Sequence, residues 1–256
     1  MNKHCLKLVL QYDGTAFHGW QKQPSQRTVQ GELESALFHL TGEACSVIGS
    51  GRTDKGVHAT GQVASLLIET TWTAGNLLRA LNALLPNDIW ISSSAIVNSD
   101  FHPRFDAISR TYFYNLGLSD ESSSPFNYKW CWPLRAELDR SLLNRATKLV
   151  IGEHSFKSFA KSGQPHRGYI CLIQGARWLP WKELGLSLQI TGNRFLHHMV
   201  RYLVGTLVDI AIRKRPSEDL RILLSNSDAT MTTSPPAPPT GLFLTDVAYP
   251  QQNEIY

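Results

Sequence analysis

In the N-terminal part of the chain, short apolar runs alternate with stretches of helical period, and that order leaves few folds open. Residues 6–12 (LKLVLQY) read as a buried strand. Thr28 stands before Val29, Leu33, Ala36 and Leu37, which recur at the spacing of one helix face, so Thr28 is the expected N-cap. Residues 45–50 and 61–68 read as strands, 74–85 as a helix stopped by Pro86, and 88–97 as a further strand. The sum is β-α-β-β-α-β, the order of a split βαβ unit.

The rest of the chain repeats the theme less cleanly. Residues 110–116 (RTYFYNL) alternate like a strand, 138–151 are helical, and 177–179 with 184–191 suit paired strands. The stretch 195–213 has the strongest helical pattern, followed by a short helix near 216–226. Residues 234–241 (SPPAPPTG) must be extended or turn-like, because proline fixes φ and excludes helix; 242–249 then return as a strand. The expectation is an α+β protein of two domains, 1–105 and 106–256. At 256 residues, 42% hydrophobic and 18% charged, the chain can bury a full core without staples.

Several function classes fall away. Cys5, Cys45, Cys131 and Cys171 form no CxxC pair, so zinc-ribbon and thioredoxin-like readings lack their spacing, and reduced thiols are expected. The apolar run near the N-terminus is too short for a secretion signal, and no run is long enough to cross a membrane. That points to a soluble, cytoplasmic protein. A net charge of +4 permits an anionic partner, and only the placement of the cations can decide.

The most suggestive stretch is SGRTDKGVHA, residues 50–59, with Arg52 and Lys55 flanking Asp54. Alone, TDKG is compatible with a turn between strands. The two cations add something a turn does not need: opposite charges nearby favour the ionised carboxylate, which suits a nucleophile or charge stabiliser. Gly14 and Gly19 have P-loop spacing, but Trp20 and Gln21 follow where lysine and a hydroxyl are required, which excludes nucleotide hydrolysis. On a strand, Arg110, Tyr112 and Tyr114 share one face, which suits either an amphipathic sheet edge with Phe113 in the core or a base-stacking, phosphate-contacting surface. Arg194, His197, His198, Arg201 and Gly205 share a helix face if the helix begins near 194. His197 and His198 point about 100° apart on a helix, which argues against a metal pair.

The SGRTDKGVHA motif with GQVAS behind it, YDGTAFHGWQ, TVQGELE, FHPRF, RTYFY, HSFKSF, NRFLHHMVRYLVGTL and PPTGLFL together resemble the tRNA pseudouridine synthase A family. The blocks occur in order from Leu8 to Tyr249. The resemblance implies two ferredoxin-like (RRM-like) halves with adjoining, mostly antiparallel sheets around a basic cleft, working as a homodimer that grips tRNA. It implies isomerisation of uridine to pseudouridine on the 3′ side of the anticodon stem-loop, without metal or organic cofactor. Residue by residue it implies Asp54 as nucleophile, Tyr112 as the base-stacking tyrosine and Arg201 as the basic partner of the aspartate. Arg52 matches the arginine that helps extrude the nucleotide, and Leu242 the apolar residue under the base. Arg110, beside Tyr112 in the strand pattern, is a further substrate-binding candidate. Pro103 stands where a smaller residue is commoner, and residues 166–170 fit the family pattern only loosely.

The chemistry agrees with the residues. Glycosidic cleavage develops positive character at the sugar, which an ionised carboxylate can trap. Three routes are open to Asp54: attack on the sugar carbon, abstraction of a sugar proton, or addition to the uracil ring. A stem uridine must also be flipped out, and stacking on Tyr112 offsets part of that cost. Binding of structured RNA without chemistry is the alternative, but it gives an anion among phosphates no purpose. A metal-dependent nuclease would need carboxylate clusters where the sequence has isolated acids.

Overall fold

The structure is a computed structural model, and it describes residues 3–69, 71–161, 168–225 and 230–250. The chain divides into two compact units, one of residues 1–108 and from 243 onward, the other of Ser109–Leu242. The first contains β1 (Lys3–Tyr12), α1 (Val29–Thr41), β2 (Ile48–Gly49), β3 (His58–Glu69), α2 (Ala74–Leu84) and β4 (Ile89–Val97). The second contains β5 (Ser109–Gly117), β6 (Trp132–Pro133), α3 (Arg140–Lys148), β7 (Gly152–Ser155), β8 (Ile170–Trp181), β9 (Gly185–Gly192), α4 (Met199–Ala211) and α5 (Glu218–Ser225). The last strand, β10 (Leu242–Ala248), starts at the end of the second unit and runs into the first. The division differs from the expected one here: 106–256 is not one block, because β10 pairs in parallel with β3 (Phe243 with His58, Leu244 with Ala59).

In the first unit the strand order is β4-β1-β3-β10, with β2 also on β3, and all pairs except β3–β10 are antiparallel. The pattern that predicted the helices is the pattern that buries them. Leu6, Leu8 and Leu10 of β1, Leu33 and Leu37 of α1, and Leu77 and Leu81 of α2 are all fully buried. Thr28 is the N-cap of α1, its hydroxyl accepting from the Gly31 amide over 3.2 Å, and Gly42 ends the helix at φ 72°. α2 stops at Leu84 because Leu85 precedes Pro86 and is held extended.

In the second unit β5-β9-β8-β7 follow one another antiparallel, and β6 adds to β5 in parallel. Leu143 of α3, Leu188 of β9, Leu203 and Leu207 of α4, with Phe156 and Phe159 between strands, form its core. One expectation fails. Helix α4 begins at Met199, not near 194, because His198 adopts φ 64° and breaks the helical path. Arg194, His197 and His198 therefore lie ahead of the helix, and only Arg201 and Gly205 of the expected stripe ride on it. Both units mix α and β elements with mostly antiparallel sheets.

Candidate active site

Asp54 sits in the segment between β2 and β3 and is half-buried. The Val57 amide donates to the Asp54 carbonyl over 3.1 Å, so the turn runs over residues 54–57, one residue later than TDKG suggested. Gly56 takes the left-handed conformation this turn requires, at φ 79°. Arg52 and Lys55 on either side are exposed, while Thr53 points inward and is 6% exposed.

A second loop, 13–28, clamps that turn from the side. The Trp20 amide donates to the Thr53 carbonyl over 3.0 Å, and the Gly56 amide donates to the Phe17 carbonyl over 3.3 Å. The Gly14 amide donates to His58 Nδ1 over 3.0 Å, and the His58 ring stacks on Phe243 at 4.7 Å between centroids. The loop is tied to the start of α1 by the Gln30 amide, which donates to the Trp20 carbonyl over 3.0 Å. The glycines that imitate a P-loop serve this packing. A Cβ on Gly14 would run into the Val57 carbonyl, and one on Gly19 into the Thr53 carbonyl. A buried polar cluster of Tyr12, Ser50, Thr53 and Gln62 lies under the same turn. Burial pushes the Tyr12 phenol up to about 12, its bonds to Thr53 and Gln62 opposing the rise only in part.

The other candidates lie in the second unit. Tyr112 is on β5, 8% exposed, and meets Phe195 edge-on with centroids 5.1 Å apart at 79°. Arg110, also buried, donates through Nη1 to the Asn193 carbonyl over 3.0 Å, so it braces the segment that carries Phe195. Tyr114, expected beside them as a stacking surface, is instead core: it is fully buried and its hydroxyl donates to the Pro238 carbonyl over 2.9 Å. Burial raises its phenol well above the usual tyrosine range. Arg201, half-buried on α4, donates through Nε to the Ala237 carbonyl over 2.8 Å. Leu242 is 5% exposed at the start of β10. His197 and His198, set off the helix, pack edge to face at 4.3 Å.

Thus Arg52 and Asp54 share one loop of the first unit, while Arg110, Tyr112, Arg201 and Leu242 belong to the second. Pro103 is buried in the first unit, its carbonyl accepting from the Tyr249 hydroxyl over 2.7 Å. Of the loosely matching segment 166–170, His166 and Arg167 lie outside the described residues, and Ile170 opens β8. Sequence reasoning missed Phe195, which it counted as part of an apolar helix, and the buried polar group around Gln62. The signal for the latter was Gln62 itself, an amide inside the apolar run GQVASLLI. No helix among the described residues is long and apolar enough to cross a membrane.

Comparison with known proteins adds the family. The profile of a family described as tRNA pseudouridine synthase matches residues 8–106 and 146–250, which include Arg52, Asp54, Arg201 and Leu242. A tRNA pseudouridine synthase A of Maridesulfovibrio salexigens is 40% identical over 245 residues, covering 95% of this chain and 90% of that protein. Another, from Geobacter sp., is 38% identical over 246 residues, covering 96% and 99%. A solved dye-decolorizing protein from V. cholerae has 10% identity, covers 85% of this chain and 88% of its own, and gives a TM-score of 0.24, which carries no weight. With a profile matched over most of its length and relatives at this identity across nearly all of it, the chain belongs to the tRNA pseudouridine synthase family.

Proposed function

We propose that this chain isomerises uridine to pseudouridine in tRNA, on the 3′ side of the anticodon stem-loop, with Asp54 as the nucleophile. In the reaction the bond from N1 to the sugar C1′ breaks, the uracil turns, and C5 bonds C1′. The C5 proton is lost and N1 gains one, so no atom is added or removed. The observation that carries the reading is the fixing of Asp54. It rides on a loop held by backbone bonds at Thr53, Gly56 and Val57, as a half-buried residue flanked in the chain by Arg52 and Lys55. A carboxylate on a backbone so held needs less reorganisation to meet developing positive charge, which is how such groups lower barriers.

The remaining residues take the roles their chemistry suits. Tyr112 stacks the flipped uracil, with Phe195 supporting its ring from the edge. Arg52, exposed beside Asp54, assists extrusion of the nucleotide. Arg201 and Arg110 contribute positive charge toward the anionic substrate, and Leu242 lies under the base. Each unit is a ferredoxin-like half, the protein works as a homodimer in the cytoplasm, and it uses no metal or organic cofactor.

The test is incubation of purified Asp54→Asn with a tRNA transcript carrying uridines in that strand, followed by chemical mapping of pseudouridine. The expected result is tRNA binding near the wild-type level with no product. Turnover comparable to wild type sinks the assignment.

A further inference from the structure

Four buried polar side chains lie beneath the Asp54 turn: Ser50, Thr53, Gln62 and Tyr12 are 1%, 6%, 0% and 5% exposed. Leaving any one unpaired there would be destabilising, so their bonds must be accounted for. The Ser50 hydroxyl donates to Gln62 Oε1 over 2.7 Å. Gln62 Nε2 donates to the Gly51 carbonyl over 2.8 Å and to the Tyr12 oxygen over 3.4 Å. The Tyr12 and Thr53 hydroxyls are 2.8 Å apart. Ser50, Gln62, Tyr12 and Thr53 are thus joined in one continuous chain of hydrogen bonds, the Tyr12 oxygen accepting from Gln62 and sharing a proton with the Thr53 hydroxyl.

The arrangement has a mechanical meaning. Gln62 is on β3 and Tyr12 on β1, two antiparallel neighbours paired from Lys3 with Glu69 to Tyr12 with Ala59, with a register shift between Leu10 and Tyr12. Gly51 and Thr53 lie on the loop, on either side of Arg52, and Thr53 immediately precedes Asp54. One strand thus fixes the loop at Gly51, and through Tyr12 a second fixes it at Thr53. A fully apolar group would fill this space and stabilise the fold about as well. It would not tie the loop at chosen atoms.

We propose that Tyr12, Thr53 and Gln62 are positioning residues for Asp54, transmitting the rigidity of β1 and β3 to the turn so that the carboxylate meets the target nucleotide in one orientation. The inference rests on the isomerase reading above. Its scale comes from geometry: displacing a reacting group by about 1 Å costs on the order of 100-fold in rate. A group with only a structural part would leave the rate of the folded protein unchanged.

The experiment uses the full chain and a tRNA transcript with uridines in the 3′ strand of the anticodon stem. Single-turnover rate at saturating enzyme, Kd for the same tRNA and thermal midpoint are measured for wild type, Tyr12→Phe, Thr53→Val, Thr53→Ser and Asp54→Asn. The expected result is a loss of at least about tenfold in rate for Tyr12→Phe and Thr53→Val. Their Kd should stay near wild type, and Thr53→Ser, which keeps the hydroxyl, should restore the rate. Wild-type rates in both hydroxyl-lacking variants, slowing matched by an equal loss of tRNA affinity, or a Thr53→Ser as slow as Thr53→Val would each overturn the inference. If Tyr12→Phe melts below the assay temperature, the Thr53→Val and Thr53→Ser pair decides alone. A wild type that forms no pseudouridine overturns the isomerase reading and this inference with it, and an active Asp54→Asn overturns the inference by removing Asp54 as the group to be positioned. An inactive Asp54→Asn beside unaffected Tyr12→Phe and Thr53→Val overturns the positioning role only.

Discussion

Arg201 and Ala237 bond each other twice: Arg201 Nε donates to the Ala237 carbonyl over 2.8 Å, and the Ala237 amide donates to the Arg201 carbonyl over 2.9 Å. The proline-rich segment is thereby laid along α4, and Gly205, one turn further, lets the Pro235 carbonyl approach closer than any Cβ would allow. Arg201 therefore has a structural duty beside the role proposed for it toward the substrate. Arg201→Met keeps most of the stem and removes the donor. It should cost about 1 kcal/mol, or roughly 2–4 °C in thermal midpoint for a chain of this size. Arg201→Lys should not recover the loss, because an ammonium cannot replace the fixed Nε–H of the planar guanidinium. Thermal melts followed by circular dichroism decide it, and an unshifted midpoint would show the reciprocal pair to be dispensable.

Tyr112 and Phe195 meet edge to face, which leaves the role of the tyrosine hydroxyl open to a simple comparison. If the ring stacks the extruded base, Tyr112→Phe should keep a single-turnover rate close to wild type. Tyr112→Leu should lose about 5- to 150-fold, the equivalent of about 1–3 kcal/mol of stacking. Equal losses in both variants would point to the hydroxyl in place of the ring.

Alkaline pH offers a test of the buried cluster that does not involve activity. The Tyr12 phenol is raised to about 12 in the folded chain, above the ordinary tyrosine value near 10. The folded state thus holds its proton after the unfolded chain has lost it. That contribution to stability is complete below pH 10 and is lost as the pH rises toward 12. The rise corresponds to about 3 kcal/mol. Urea unfolding at pH 9 and pH 11.5 should show a steeper loss for wild type than for Tyr12→Phe. Other buried phenols and thiols titrate in both proteins, so the difference between them is the quantity to read.

Thiol chemistry should separate the four cysteines. Cys5, Cys131 and Cys171 are buried, and burial pushes Cys131 and Cys171 up to about 11, so they stay protonated and enclosed at neutral pH. Cys45 is only partly covered. Brief alkylation of the native protein at pH 8 should label Cys45 and spare the rest, with all four labelled in urea. Mass spectrometry of the peptides reads the result.

The features legible in the sequence are those that obey local rules. Thr28 caps α1, Pro86 limits α2, and the alternation in RTYFYNL gives β5, because capping, proline sterics and strand period act over a few residues. The errors arose where distant contacts override local preference. Apolar periodicity in NRFLHHMVR suggested an unbroken helix, yet His198 sits at φ 64° and places Phe195 against Tyr112. Tyr114 has the same strand parity as Tyr112 but is taken by the carbonyl of Pro238, more than a hundred residues away. The same limit hid the Tyr12, Thr53 and Gln62 cluster, whose members come from three separate segments. The turn that carries Asp54 was legible because its glycine, Gly56, lies two residues away in the chain.

The return of β10 to the first unit sets an order of events during synthesis. Phe243 and Leu244 leave the ribosome only after every residue of the second unit, so until then β3 lacks its parallel neighbour and His58 has no ring to rest on. A half-translated chain already carries the Asp54 turn but not the strand that finishes its sheet. Maturation of the aspartate-bearing half is thereby deferred until the tyrosine-bearing half has been made.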